Sequence, residues 1–205
     1  MIEPLGGWAN AWPLAVGFLI AYLIGAIPFG LILTRMSGAG DIRKIGSGNI
    51  GATNVLRTGR KAVAAATLLL DIGKGFLAVW LGWRYGGPDM AVLAAYGALL
   101  GHCFPIWLKF KGGKGVATFL GAVTGLAWMF GLVGAIAWIA SAAIFRISSV
   151  AGLLLTAAAP ITAFVLDDQQ LLEATLVMAA LVWMRHWSNI LRLLKGEEPK
   201  IGKGA

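Results

Sequence analysis

Three short polar stretches carry most of the chemistry available to this chain. The first is Gly46-Ser47-Gly48-Asn49-Ile50-Gly51-Ala52-Thr53-Asn54, followed by Arg57, Arg60 and Lys61. Glycines at 46, 48 and 51 allow positive φ, so that backbone N–H groups converge on an anion. Ser47, Asn49, Thr53 and Asn54 add neutral hydrogen-bonding groups, and Arg57 adds a planar fork suited to phosphate. A loop serving only as a flexible tether does not need that density of small polar groups. The glycine spacing is neither a Walker loop nor a dinucleotide fingerprint. The second stretch is Lys109-Phe110-Lys111-Gly112-Gly113-Lys114-Gly115, leading into Val116-Ala117-Thr118. Glycine and lysine ahead of a helix combine its N-terminal N–H groups and dipole with ammonium charge, a favourable anion site. Read alone, such a loop also serves as a plain orientation signal. The third is Arg185-His186-Trp187-Ser188-Asn189-Ile190, followed by Arg192, Lys195, Gly196, Glu197, Glu198, Pro199 and Lys200. On a continuing helix His186 and Asn189 share a face and direct a pair of polar groups toward the other loops. The competing reading is an interfacial amphipathic turn anchored by Trp187.

Four further polar residues sit among apolar neighbours. Asp71 and Lys74 have the i, i+3 spacing of an intrahelical ion pair, which favours a structural role over substrate contact. His102 precedes Cys103-Phe104-Pro105 and is expected to bond a loop carbonyl, with catalysis as the alternative. Cys103, the sole cysteine, reads as a packed thiol. Two histidines with no facing carboxylate cluster give a metal site little support.

The elements that must position these loops are membrane helices. Of 205 residues 59% are hydrophobic and 13% charged, against about 25% charged in ordinary soluble domains. A net charge of +8 resembles a nucleic-acid signature, but the cations cluster between apolar runs, as orientation signals do. Runs of about 20 apolar residues span a bilayer. They extend from Trp12 to about Leu33, Ala62 to Trp83, Met90 to Leu108, Val116 to Phe145, Ser149 to Leu166 and Leu171 to about Met184. Pro28, with Gly25 and Gly30, is read as tolerated inside the first. Val116–Phe145 is either one tilted span or two short ones broken near Thr124-Gly125. Two short helices put six Lys and Arg of the first loop, three of the second, Arg146 and five of the tail on one side, with Arg84 alone opposite. The positive-inside rule then makes the basic side cytoplasmic and favours two. Met1 to Asn10 has no positive n-region, so no cleaved signal is expected and the N-terminus is periplasmic. The expectation is one domain over residues 1–205, an all-α integral membrane protein of seven transmembrane helices, two of them short, with catalytic loops on the cytoplasmic face.

In motif order, size and span layout, the chain from about Ile27 to Lys200 resembles the membrane acyltransferase family called PlsY. The three stretches match that family's three motifs. The resemblance implies transfer of a fatty acyl group from acyl phosphate to the 1-hydroxyl of glycerol 3-phosphate. The products are lysophosphatidic acid and phosphate, in bacterial phospholipid synthesis at the inner membrane. It implies no cofactor, no metal and no acyl-CoA. The partners are then the two substrates and membrane lipids, with no nucleic acid, and the protein is a monomer. By the same resemblance Ser47, Arg57, Lys114, His186 and Asn189 are the catalytic set. Gly46, Gly48, Asn49, Gly51, Thr53, Asn54, Lys111, Gly112, Gly113 and Gly115 bind substrate phosphate. Glu197, with Asp71, Lys74 and His102, lends structural support.

The residues themselves agree with such chemistry. A mixed anhydride has a good leaving group, so catalysis rests on positioning and charge stabilisation. Two proton acceptors stay open, the substrate phosphate and His186. A transporter of phosphorylated metabolites is the alternative function, but it should show inverted repeats around a mid-membrane site. A lipid-binding assembly factor would not need these polar loops.

Overall fold

The computed structural model describes residues 11–202. The periplasmic placement of Met1–Asn10 lies outside the described residues, as do positions 203–205. Among the described residues the regular elements are all helical. They are α1 (Trp12–Gly25), α2 (Phe29–Met36), α3 (Ala52–Leu56), α4 (Lys61–Cys103), α5 (Val116–Leu126), α6 (Trp128–Phe145), α7 (Ser148–Val165), α8 (Gln169–Arg185) and α9 (Trp187–Leu194). Two 3-10 turns, Ile42–Lys44 and Ile106–Leu108, complete them.

The first apolar run is not one helix. Pro28 has no N–H to donate and caps α2, so the chain breaks over Ala26-Ile27-Pro28. The carbonyls freed there find distant donors. Trp107 Nε1 donates to Ala26 O at 2.7 Å and Lys74 Nζ to Ile27 O at 2.8 Å. A membrane protein must answer such groups internally, because lipid cannot.

Gly87, at φ 71° and ψ −160°, splits α4 into two arms. They fold back on each other, since a Cβ added at Gly82 would fall 2.7 Å from Ala91 Cα. The run 116–145 is two helices, as expected, but the break falls at Ala127 rather than Thr124-Gly125. Ala127 adopts an extended backbone and α6 folds back on α5, with Gly131 seated against Thr124. At 11 residues, α5 is only about 16 Å long. The next two turns use Arg146 and Asp167 at positive φ. Asp168 caps α8 by accepting from Leu171 N at 2.9 Å.

Among the described residues, helices long and apolar enough to cross a membrane are four, with the α1–α2 pair and the folded α4 each counted once. Leu19, Leu69, Ile139, Phe164 and Val177 expose half or more of their surface, a surface suited to lipid rather than water. Inside, Leu99, Phe119, Val123, Phe130, Leu155 and Met178 pack into one buried cluster. Small residues let backbones approach: a Cβ at Gly121 would collide with the Ile72 carbonyl oxygen, and one at Gly75 with that of Thr118. The α4–α5 contact that fixes the second polar loop therefore depends on these two positions.

Gly121→Ala should lower stability by about 1–3 kcal/mol through overpacking. Gly73→Ala, with nothing within 4 Å of the added methyl, should lose none. Thermal unfolding midpoints in detergent compare the two.

Candidate active site

The first polar loop is anchored by its own small core, in which Leu31, Ile42, Ile50, Val55 and Ala64 are buried. The Asn54 side chain ties the loop together. Its Nδ2 donates to the carbonyls of Ile42, Ile45 and Asn49 at 2.8–3.0 Å, and its Oδ1 accepts from Ser47 N at 3.2 Å. With every side-chain polar atom used this way, Asn54 holds the loop rather than a ligand. The expected convergence of glycine N–H groups is also corrected. Gly48 N donates to Ile45 O, and Gly51 N to Asn49 Oδ1. Gly46 and Gly48 do take positive φ, but Gly51 is at −81°. Thr53 Oγ1 meets Ser148 Oγ at 3.1 Å, joining the loop to α7. What the loop offers a ligand is the exposed Ser47 and the Arg57 guanidinium, which packs where a side chain at Gly46 would stand.

In the second loop two more expected anion donors are already engaged. Gly112 N donates to Cys103 O at 3.1 Å and Gly113 N to His102 O at 3.0 Å. From the other side Arg185 donates through Nη2 to Gly112 O and through Nε to Gly113 O, both at 3.2 Å. Its guanidinium also lies 5.2 Å from the Phe104 ring centroid. The turn is thus clamped between the end of α4 and the end of α8. Gly115 at φ 92° then starts α5, whose first turn has no side-chain cap. Its leading N–H groups have no carbonyl one turn back to bond and stay available to an anion. Lys111 is exposed, whereas Lys114 turns inward.

Lys114 Nζ donates to Asn189 Oδ1 at 2.5 Å, and Asn189 Nδ2 donates to Glu198 Oε1 at 2.5 Å. Burial pulls the Lys114 ammonium down to about 8. Glu198 also accepts from Ser149 Oγ and Arg192 Nε, both at 2.7 Å. Burial alone would raise the Glu198 carboxyl, but these donors outweigh it and hold the group below its ordinary value. Glu197, expected to be the supporting carboxylate, has an exposed side chain and contributes only its backbone N–H, to Arg192 O. The structural residue is its neighbour, Glu198.

His186 closes α8 with its side chain buried. Its Nδ1 lies 2.8 Å from Val182 O, and a carbonyl only accepts, so Nδ1 carries the hydrogen and Nε2 the lone pair. His186 therefore bonds its own helix, while Asn189 alone reaches another loop. Burial pushes the imidazole down to about 4, so the ring is neutral across the physiological range.

One cavity of 1420 Å³ gathers Ser47, Arg57, Lys114, His186 and Asn189 at a single end of the bundle. Of the expected phosphate-binding set, Gly46, Gly48, Asn49, Gly51, Thr53, Asn54, Lys111, Gly112 and Gly115 line it, and Gly113 is turned away behind. The polar end continues into an apolar wall of Leu68, Ile72, Leu120, Trp138 and Ile139. Asp71 and Lys74 pair as expected, with Nζ 2.6 Å from Oδ1. His102 does not bond a loop carbonyl through its ring; the ring faces Asp71 and Gly113. Cys103 is a fully buried free thiol.

Sequence reasoning missed Glu198, Arg185 and the serines at the start of α7 as site residues. Ser148-Ser149 after Arg146 is a helix-start signal that was available. Which of two adjacent glutamates turns inward depends on how the tail folds back, and no local pattern encodes that. Glu198→Gln should cost about 1–3 kcal/mol by leaving buried donors poorly matched, whereas Glu197→Gln should stay within about 0.5 kcal/mol. Equilibrium unfolding of both variants in detergent tests the assignment.

A family model described as glycerol-3-phosphate acyltransferase matches residues 15–196. Two curated proteins bearing that name are similar along nearly their whole length. The one from Jannaschia sp. (strain CCS1) is 52% identical over 194 residues, covering 95% of this chain and 96% of its own. The one from Caulobacter vibrioides (strain NA1000 / CB15N) is 57% identical over 196 residues, covering 93% and 88%. Two crystal structures of PlsY (YgiH), described as an integral membrane glycerol 3-phosphate acyltransferase, share the fold. Its glycerol 3-phosphate form matches with a TM-score of 0.88 at 35% identity, and its lysophosphatidic acid form with 0.86 at 34%. Each covers 93% of this chain and 96% of that one.

Proposed function

The chain belongs to the glycerol-3-phosphate acyltransferase family, and on that premise we propose that it acylates the 1-hydroxyl of glycerol 3-phosphate with a fatty acyl phosphate as donor. The observation that carries this reading is the single cavity with a cationic polar end and an apolar wall. Both substrates carry phosphate, and one also carries a chain that needs lipid-like surroundings. Arg57, Ser47 and the open start of α5 suit one phosphate group; Lys114, held by Asn189, suits the second. Leu68, Ile72, Trp138 and Ile139 give the acyl chain a lateral path from the bilayer.

In the reaction the hydroxyl oxygen forms a bond to the acyl carbon, and the bond from that carbon to the phosphate oxygen breaks. The hydroxyl proton passes to a phosphate oxygen of the donor, which leaves as inorganic phosphate. His186 is poorly suited to take it. A ring with a pKa of about 4 is a weak base at neutral pH, and its Nδ1–H is already committed to Val182. Its role is to accept or orient through Nε2. The phosphate of an activated anhydride meets the need for a base, and the fixed cations stabilise the charge that develops.

Orientation is part of the same proposal. The α1–α2 pair, the two arms of α4 and helices α5 to α8 make seven crossings, α5 being short. The basic, cavity-bearing end faces the bacterial cytoplasm, from which the soluble acceptor arrives, and α1 enters from the periplasmic side. The protein works as one domain and as a monomer.

Purified protein given fatty acyl phosphate and glycerol 3-phosphate should release phosphate and form the acyl ester; transport without ester formation would instead favour a carrier. Lys114→Ala should raise the KM for glycerol 3-phosphate about 10- to 150-fold, the worth of one charge-assisted contact, and Arg57→Lys should also impair turnover.

The pH profile separates the two groups. Lys114 holds the anion only while protonated, so kcat/KM should fall as pH rises above about 8. That limb should vanish in Lys114→Ala. A histidine base of ordinary pKa would add an acidic limb near 6.5; with His186 lowered to about 4, none is expected there. Single cysteines at Ser47, Lys111 and Ser188 in a Cys103→Ser background should resist impermeant reagents added outside, and one at Asp168 should react.

A further inference from the structure

We propose that Lys74, Asp71 and His102 form a positioning strut inside the bundle that sets affinity for the acceptor by holding the turn ahead of Lys114. The inference rests on the acyltransferase reading above and assigns to these three residues an effect on one substrate only. All three side chains are at least 96% buried. Lys74 Nζ bridges Ile27 O, at the break between α1 and α2, and Asp71 Oδ1. Asp71 Oδ1 in turn lies 3.7 Å from His102 Nδ1. On its other edge the His102 ring fills the space that a side chain at Gly113 would need, since an added Cβ would collide with Nε2. The residue after Gly113 is Lys114, which reaches Asn189 across the cavity.

Direct ligand binding is the obvious rival and fits less well. Asp71 Oδ1 is enclosed against Lys74 Nζ and His102 Nδ1 is enclosed without a hydrogen-bond partner, although both residues border the cavity with other atoms. A charged pair buried in a membrane bundle is costly, and a purely structural contact of this kind is replaceable by apolar packing. The Asp71 carboxylate has a more specific use. It stands opposite the ring and holds the ring's far edge against the back of Gly113. Arg185 presses the same turn from the front, through Gly112 O and Gly113 O. Lys114 therefore leaves a turn fixed on two sides, and its ammonium meets the acceptor without a search over side-chain positions. The first loop, with Ser47 and Arg57, is fixed separately by Asn54 and does not pass through this strut.

The test is a double-mutant cycle on Gly113 and His102 with kinetics for each substrate. Gly113→Ala should raise the KM for glycerol 3-phosphate about 10-fold in the wild-type background. In a His102→Ala background, where the ring no longer occupies the space, the same change should alter it by less than about 2-fold. Asp71→Asn should raise the same KM several-fold and leave the KM for acyl phosphate unchanged. Equal effects of Gly113→Ala in both backgrounds would overturn the strut, as would a parallel change in both KM values. Should Gly113→Ala fail to fold, recovery of folded protein in the double variant supports the proposal and no recovery refutes it. Absence of wild-type turnover would refute the functional reading instead. The strut is then judged by whether the same cycle is non-additive in unfolding midpoints.

Discussion

The site depends on keeping a lysine charged where water is largely excluded. Desolvation favours the neutral amine, and the depressed pKa of Lys114 shows that this pressure is felt. Asn189 opposes it by presenting its carbonyl oxygen to the ammonium while its amide donates to Glu198. The asparagine thus passes the carboxylate's influence to the lysine without letting the two charges touch. A direct Lys114–Glu198 pair would neutralise the cation that the proposed function assigns to a substrate phosphate. With asparagine between them, the ammonium keeps donors free and the carboxylate is satisfied by Ser149 and Arg192.

That arrangement dictates much of the architecture at this end of the molecule. Asn189 must face the cavity, so the helix that carries it has to break from α8, and the break falls at His186. Glu198 must return to Asn189, so the tail folds back across the start of α7. Ile201 N donates to Arg146 O there and holds the strap down. On α9 the outward face carries Trp187, Leu191 and Leu194, all exposed, spaced four and three residues apart on one side of the helix. An apolar stripe outside and Asn189 inside suit the helix to a membrane boundary while it serves the cavity. The same economy appears at Pro28, where a helix break leaves carbonyls that Lys74 and Trp107 bond from elsewhere.

The sequence made the helical class, the long apolar runs and the residues gathered in the cavity legible, because each has a local signature. Apolar length identifies helices, and small polar or basic clusters between them identify loops that meet. What local patterns could not tell was which polar atoms are already used. Gly48, Gly51, Gly112 and Gly113 look like anion donors by composition, yet their N–H groups bond within the protein. Asn54 looks like a ligand group and is a four-bond brace. Pro28 looks tolerable within one long apolar helix, yet the chain breaks there. Each of these outcomes is fixed by a partner far along the chain or by a turn whose geometry only the folded loop defines. The shift from Glu197 to Glu198 has the same origin, since both are acidic residues in a basic tail and only the strap's path separates them.

The two halves of the cavity place opposite demands on one set of helices. Its polar end needs cations shielded from water, which strengthens their hold on phosphate but weakens their charge. Its apolar wall needs contact with lipid, so that a chain enters without crossing water. A short α5 reconciles the two. Its uncapped start lies at the polar end, while Leu120, one turn further along, already belongs to the apolar wall. A reacting carbonyl at the join would have its anionic leaving group on one side and its hydrocarbon on the other. The acyl carbon is then located by the boundary between two solvents rather than by side chains that grip it. Chemistry that needs only positioning and charge can be run at such a boundary by residues as plain as Ser47, Arg57 and Lys114.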